Sequence, residues 1–113
     1  LGPWAQDRYM PFIRTKFNLD ASKMPFNFSD VISAIAPRAF FSVSPINDAN
    51  FNLEGVKKGI EIARKTYEQY GAGDLIQVRY PDADHDFPVE SRKEAYAFID
   101  KILKFNPVNT ELK

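Results

Sequence analysis

The sequence predicts an α/β fold, in which strands and helices alternate as a strand-helix-strand-helix portion of a larger parallel sheet. Two short apolar runs, residues 39–43 and 75–80, have the length and composition of strands. Between them lies a helical pattern of about 18 residues, which is long enough for the crossover that joins parallel strands. Two parallel strands alone leave faces and edges uncovered, so this pattern is typical of the edge of a larger sheet.

The chain before the first strand is predicted to begin with a loop-rich lead-in over residues 1–28, with one short helix near residues 13–17. Prolines recur through the lead-in and interrupt regular structure. A second short helix is expected to begin after a cap at Ser29 or Asp30 and to end before Pro37. The predicted body of the domain is residues 29–105, followed by a polar tail at residues 106–113.

The helix between the strands has the clearest periodicity in the chain. Asn50 or Asn52 is the predicted N-cap, and Gly71 occupies the position of a C′ glycine. Apolar residues recur every three or four positions and predict one buried face: Val56, Ile60, Ala63, Tyr67 and Tyr70.

The last helix is predicted to begin with Pro88 in its first turn, where proline is tolerated, and to stop before Pro107. Its predicted buried stripe is Ala95, Phe98, Ile99, Ile102 and Leu103.

Composition excludes several classes of function. Lys+Arg and Asp+Glu both number 15, so charge gives no reason to expect nucleic acid or an anionic membrane as a partner. The chain has no cysteine, which excludes disulfides and thiolate catalysis. Its apolar stretches are much shorter than the ~20 residues that span a bilayer. The compartment is left open by these observations.

Two polar loops follow the two predicted strands and carry the residues suited to chemistry. His85 is the chain's one histidine and follows the second strand, while Asp48 follows the first. Ligands of open α/β sheets bind beyond the carboxyl ends of the strands, where these loops can meet. An aspartate bonded to an imidazole fixes its tautomer and stabilises the cation formed during proton transfer. The alternative is a surface histidine in an acidic turn.

The same loops carry a resemblance to a known family. Residues 37–51 resemble the acid-bearing strand and loop of α/β-hydrolases of the dienelactone-hydrolase and prolyl-oligopeptidase-like type. Residues 83–88, which end in His-Asp-Phe-Pro, are similar to their histidine loop, and residues 94–100 resemble the final helix. Trp4, with residues 8–11 and 24–26, is similar to the segment between nucleophile and acid in esterase-like members.

This resemblance implies that the chain is the C-terminal part of an α/β-hydrolase fold. The family's catalytic triad runs in the order serine, acid, histidine, so the resemblance assigns the acid to Asp48 and the base to His85. The serine belongs to an upstream G-x-S-x-G turn, which this sequence lacks. The implied parent is a serine hydrolase acting on carboxylic esters without a cofactor, and this chain alone is expected to be inactive.

Two further expectations concern partners and alternatives. The missing N-terminal part of the fold, or a second copy of the chain, is expected to cover the open sheet, and the parent's substrate is an ester. The alternative function is a non-catalytic interaction module derived from the edge of a hydrolase sheet.

A calcium loop is suggested by the spacing of Asp82, Asp84 and Asp86. That loop requires glycine at its sixth position and glutamate at its twelfth, where this chain has Phe87 and Lys93. No metal site is therefore predicted.

Overall fold

The computed structural model describes residues 1–106. Three short 3-10 helices accompany the main elements, at Gly2–Ala5, Ala21–Lys23 and Gly73–Leu75. The helices and strands, in chain order, are α1 Phe12–Thr15, α2 Phe28–Ile35, β1 Phe40–Val43, α3 Leu53–Gln69, β2 Ile76–Arg79 and α4 Val89–Leu103.

Strands β1 and β2 pair in parallel, in a register that places Phe40 opposite Ile76 and Val43 opposite Arg79. This confirms the predicted parallel pair and the α/β class, although β2 begins one residue later than predicted, because Leu75 lies in a 3-10 turn. Side chains alternate between the faces of a strand. Phe40 and Ile76 therefore face α3, whereas Phe41 lies on the other face and contacts α4.

The core lies between the sheet and α3. Its buried residues form one cluster: Ile60, Ala63, Tyr67, Ala72 and Ile76. The predicted helical face is confirmed at Ile60, Ala63 and Tyr67, but it is wrong at Tyr70, which is 63% exposed. Tyr70 is the C-cap of α3, so the backbone turns away from the core before its side chain can reach it.

The ends of α3 follow the predicted chemistry. The side chain of Asn52 accepts a hydrogen bond from the backbone N–H of Gly55 at 2.8 Å, which identifies Asn52 as the cap. Gly71 follows the helix with φ of +67°, a left-handed conformation that glycine adopts without the steric cost of a Cβ.

Helix α2 packs against α3 and begins earlier than predicted. Its cap is Asn27, not Ser29 or Asp30, and the backbone N–H of Asn27 donates to the carboxylate of Asp30 at 2.7 Å. Asp30 is thus the reciprocal partner in a capping box, three residues inside the helix. Ser29 is buried within the first turn.

Helix α4 covers the opposite face of the sheet less completely. The Phe98 ring lies 5.2 Å from that of Phe41, and Glu94 pairs with Arg79. Pro88 is the N-cap, one position before the predicted first turn. Lys104, in the left-handed conformation, ends the helix. Pro107, the predicted stop, and most of the predicted tail lie outside the described residues.

The predicted buried stripe of α4 is wrong along most of its length. Ala95 is buried, but Ile99, Ile102 and Leu103 are 47%, 38% and 71% exposed. Periodicity identifies the apolar face of a helix, but burial also requires an element to lie against that face. Within residues 1–106, no helix is long and apolar enough to cross a membrane.

Candidate active site

The acid loop follows β1 and holds Asp48 in a fixed orientation. One carboxylate oxygen, Oδ1, accepts the backbone N–H of Asn50 at 2.8 Å, which closes a tight turn around the side chain. The other oxygen, Oδ2, lies 2.8 Å from Nδ1 of His85. The Asp48 side chain is only 8% exposed. Both oxygens are therefore engaged, and the carboxylate is largely shielded from water.

The histidine loop follows β2 and is built from tight turns. The Ala83 N–H donates to the Pro81 carbonyl at 3.0 Å, and the Asp86 N–H donates to the Asp84 carbonyl at 2.7 Å. These turns flank His85, whose side chain is 63% exposed and whose ring centroid lies 6.1 Å from that of Phe51. The imidazole thus projects into open space while one nitrogen is held.

The two loops are joined by a backbone ladder that continues beyond the strands. The Ser44 N–H donates to the Arg79 carbonyl at 2.8 Å, and the Ile46 N–H donates to the Pro81 carbonyl at 3.0 Å. Parallel strands place the ends of successive strands at one edge of the sheet. The ladder therefore delivers Asp48 and His85 to the same edge, as the sequence predicts.

The charge of Asp48 is favoured by its surroundings. The hydrogen bond with His85 lowers the pKa of this carboxyl most strongly, and the Asn50 N–H lowers it further. Burial opposes both effects, and the charge of protonated His85 adds a smaller lowering. The pKa of Asp48 therefore lies below its ordinary value. At neutral pH its side chain is an anion that can accept a hydrogen bond from a protonated Nδ1 of His85.

This arrangement can orient a base. An ionised acceptor at Nδ1 favours the tautomer that carries its proton there and leaves a lone pair on Nε2. Among residues 1–106, no group hydrogen-bonds Nε2, so that nitrogen is free to accept a proton from another group. Neither Asp84 nor Asp86, the other carboxylates of this loop, bonds the ring within the described part of the chain.

A nucleophile is not found beside the ring in the described part of the chain. Ser29, Ser42 and Ser44 line the same groove as His85, but no hydrogen bond joins a serine hydroxyl to the imidazole among residues 1–106. The structure therefore brings together the two predicted site residues. Their catalytic role stays a prediction.

The groove beside Asp48 and His85 was not predicted. It is an open cavity of about 1070 Å³ between β1 and the helices α2 and α3. Its wall is largely apolar, and its aromatic and aliphatic residues include Trp4, Phe28, Ile32, Phe51, Val56 and Phe87. These residues come from five separate segments, so no local pattern in the sequence could have grouped them.

A contact between the loops was also missed. The side-chain amide of Asn47 donates to Asp82 at 2.8 Å, across 35 positions of sequence. The sequence pattern relates Asp82 only to a calcium loop, not to the acid loop. No group of three or more potential metal ligands is found among residues 1–106.

Comparison with known proteins gives a likeness in structure. No protein-family model and no curated protein sequence matches the chain. Among solved structures, the chain is similar to Methylesterase BT1017, with a TM-score of 0.57 and 23% sequence identity. The match covers 67% of this chain and 17% of that one, so this chain corresponds to a small part of the methylesterase. At this identity the likeness concerns the fold alone, and the chain therefore has an α/β fold similar to part of an esterase.

Proposed function

We propose that this chain supplies the acid and the base of a serine hydrolase that cleaves carboxylic esters, and that the nucleophilic serine comes from outside the chain. The observation that carries the proposal is the 2.8 Å contact between Asp48 Oδ2 and His85 Nδ1, at the carboxyl ends of two parallel strands. The fold-level likeness to a methylesterase, together with the resemblance of both loops to α/β-hydrolases, supports an ester as the substrate.

In the proposed reaction, the serine hydroxyl oxygen attacks the ester carbonyl while Nε2 of His85 accepts the hydroxyl proton. Asp48 holds the ring by Nδ1 and stabilises the imidazolium. The imidazolium then gives its proton to the departing alcohol, which leaves an acyl-enzyme. Water, deprotonated by the same nitrogen, releases the carboxylic acid and restores the serine. Backbone amides outside this chain would stabilise the oxyanion.

The surface next to the site is suited to the missing part of such a domain. One edge of β1 has no strand beside it among the described residues, and the groove that β1 helps to line is largely apolar. Sheet edges and apolar patches of this kind favour pairing with another segment. The proposed partner is the rest of the hydrolase fold, which would bring the serine toward His85.

The test uses the longest natural chain that contains these residues. A fluorophosphonate should label one serine outside residues 1–113, and the chain should hydrolyse simple aryl esters. Asp48→Asn should lower kcat about 10⁴-fold, because the ring loses its correct tautomer. His85→Ala should lower kcat by at least a similar factor and should abolish labelling.

The matched control is Asp84→Asn, which makes the same change one residue from His85 and should leave kcat within a few-fold. The 113-residue chain alone should not exceed the imidazole background. If the longer chain hydrolyses no ester and no serine is labelled, the proposal is wrong, and the alternative of a non-catalytic interaction module takes its place. Labelling of a serine within residues 1–113 would also overturn it.

A further inference from the structure

We propose that Asn47 and Asp82 are positioning residues, which clamp the acid loop to the histidine loop and thereby hold His85 in the Nδ1–H tautomer. This inference rests on the proposed function. Asn47 immediately precedes Asp48, and Asp82 lies three residues before His85. The Asn47 amide donates to Asp82 Oδ1 at 2.8 Å.

The clamp lies where the backbone ladder changes its step. The N–H groups of Ser44 and Ile46 donate to the carbonyls of residues 79 and 81. From the first of these bonds to the second, each segment advances by two residues. The next donor, the N–H of Asn47, reaches the carbonyl of Ala83 at 3.1 Å. Between the Ile46 bond and the Asn47 bond, the acid loop advances by one residue and the histidine loop by two. This unequal advance is the irregularity of a β-bulge.

Asp82 lies between the two acceptor residues, Pro81 and Ala83, and its side chain accepts a hydrogen bond from the side chain of Asn47. Asn47 therefore makes a backbone bond and a side-chain bond to adjacent residues of the histidine loop. Two bonds from one residue restrict both the separation and the relative rotation of the loops. Asp48 and His85 lie immediately beyond this point, so their contact depends on that restriction.

His85 has few other restraints. Its side chain is 63% exposed, and apart from the Asp48 bond its neighbour on the acid loop is the Phe51 ring at 6.1 Å. A small shift between the loops would lengthen the Nδ1 contact, because among residues 1–106 the bond to Asp48 is the one hydrogen bond that holds the ring itself. Because Asn47 and Asp82 are both exposed, their bond should contribute little to global stability. Its effect should be concentrated on the ring.

The experiment measures the tautomer of neutral His85 from the nitrogen-15 shifts of its two ring nitrogens. The 113-residue chain has one histidine, so both signals are assigned without ambiguity. Samples are kept at a concentration where sedimentation shows a single species. In the wild type the Nδ1–H tautomer should dominate, and Asp48→Ala should lower the ratio of Nδ1–H to Nε2–H about tenfold.

Asn47→Ala and Asp82→Ala should each lower the same ratio about threefold, because the Asp48 bond lengthens but remains. Asp82→Asn retains an acceptor oxygen and should restore the wild-type ratio. Asp84→Ala removes a charge next to the ring without touching the clamp and should leave the ratio unchanged. The amide spectrum of each variant reports whether it is folded. If Asn47→Ala is not folded, the comparison of Asp82→Ala with Asp82→Asn is sufficient for the test.

The outcomes separate the two proposals. If Asp48→Ala alone changes the ratio, the clamp is refuted while the Asp48–His85 pair stands. If Asp84→Ala acts as strongly as Asp82→Ala, the effect is one of charge and the clamp is again refuted. If Asp48→Ala leaves the ratio unchanged, both the clamp and the proposed function fail.

Discussion

The two faces of the β1–β2 sheet are covered very differently, although a helix packs against each of them. On one side, α3 buries Ile60, Ala63 and Tyr67 against Ile76, with α2 packed behind. Every one of these four side chains is at most 7% exposed. On this face the layer between α3 and β2 is packed by elements of the described chain, and the groove opens beside it, next to β1.

On the other side, α4 reaches the sheet through the Phe41–Phe98 ring contact and the Arg79–Glu94 ion pair. Five of its large apolar residues are open to solvent: Val89, Tyr96, Ile99, Ile102 and Leu103. The same helical periodicity thus gives a packed helix in one case and a half-covered helix in the other. Apolar spacing therefore defines the apolar surface of a helix, whereas the burial of that surface depends on what lies against it.

The largest expected difference between the faces is in stability. Ile76→Ala should lower the free energy of unfolding by about 2–5 kcal/mol, because Ile76 is 1% exposed and its removal leaves a cavity in the core. Ile102→Ala is the matched change on α4, where the side chain is 38% exposed, and it should cost less than about 1 kcal/mol.

Urea unfolding followed by circular dichroism measures both values. Alanine also favours the helical backbone at position 102 and disfavours the strand at position 76, which widens the expected gap. Equal decreases in the free energy of unfolding for the two variants would mean that α4 is as well packed as α3, and would contradict this prediction.

The second expected difference is in association. We expect the purified chain to self-associate through the exposed stripe of α4, so that its sedimentation coefficient rises with concentration. The double change Ile99→Lys and Ile102→Lys should suppress that rise by charging the stripe. Ile62→Lys, at a residue 44% exposed that lines the groove, is the control and should have a smaller effect.

A compact monomer at every concentration, with no binding of hydrophobic dye, would contradict this prediction. A larger effect of Ile62→Lys would instead identify the groove as the contact surface.

The sequence predicts the fold well where the determinants are local. The periodicity of α3, the cap at Asn52 and the left-handed Gly71 each depend on residues within one or two turns of the chain. These interactions are short in range, so pattern and backbone chemistry are enough to predict them.

The failures are of two kinds. The sequence predicts the cap of α2 at Ser29 or Asp30, whereas the structure has it at Asn27, because neighbouring polar residues are equally good caps. The Asn47–Asp82 bond and the groove depend instead on the register of two loops distant in sequence. Strand topology predicts that the Asp48 and His85 loops meet at one edge of the sheet, whereas the bonds that fix their relative position depend on the register and could not be predicted.

The smallest expected effect is on the pH dependence of stability, and it distinguishes two tyrosines near the end of α3. Tyr67 is 0% exposed and Tyr70 is 63% exposed. Burial raises the pKa of Tyr67, so the folded state favours its neutral form. Stability from this group is therefore complete below the pKa of the unfolded tyrosine, about 10, and is lost as the pH rises through the folded value.

Tyr67→Phe removes both this titration and the bond that the hydroxyl donates to the Arg38 carbonyl at 2.7 Å. At neutral pH the variant should be about 1 kcal/mol less stable than the wild type. Above pH 10 the unfolded wild type ionises this phenol while the folded state holds it neutral, which lowers the unfolding free energy of the wild type but not of the variant, so the two values should converge. Tyr70→Phe, in the adjacent turn, removes an exposed hydroxyl and should be as stable as the wild type at neutral pH. Urea unfolding from pH 7 to pH 11 measures all three curves, and a gap between wild type and Tyr67→Phe that stays constant would show that Tyr67 is not buried in solution as it is in the structure.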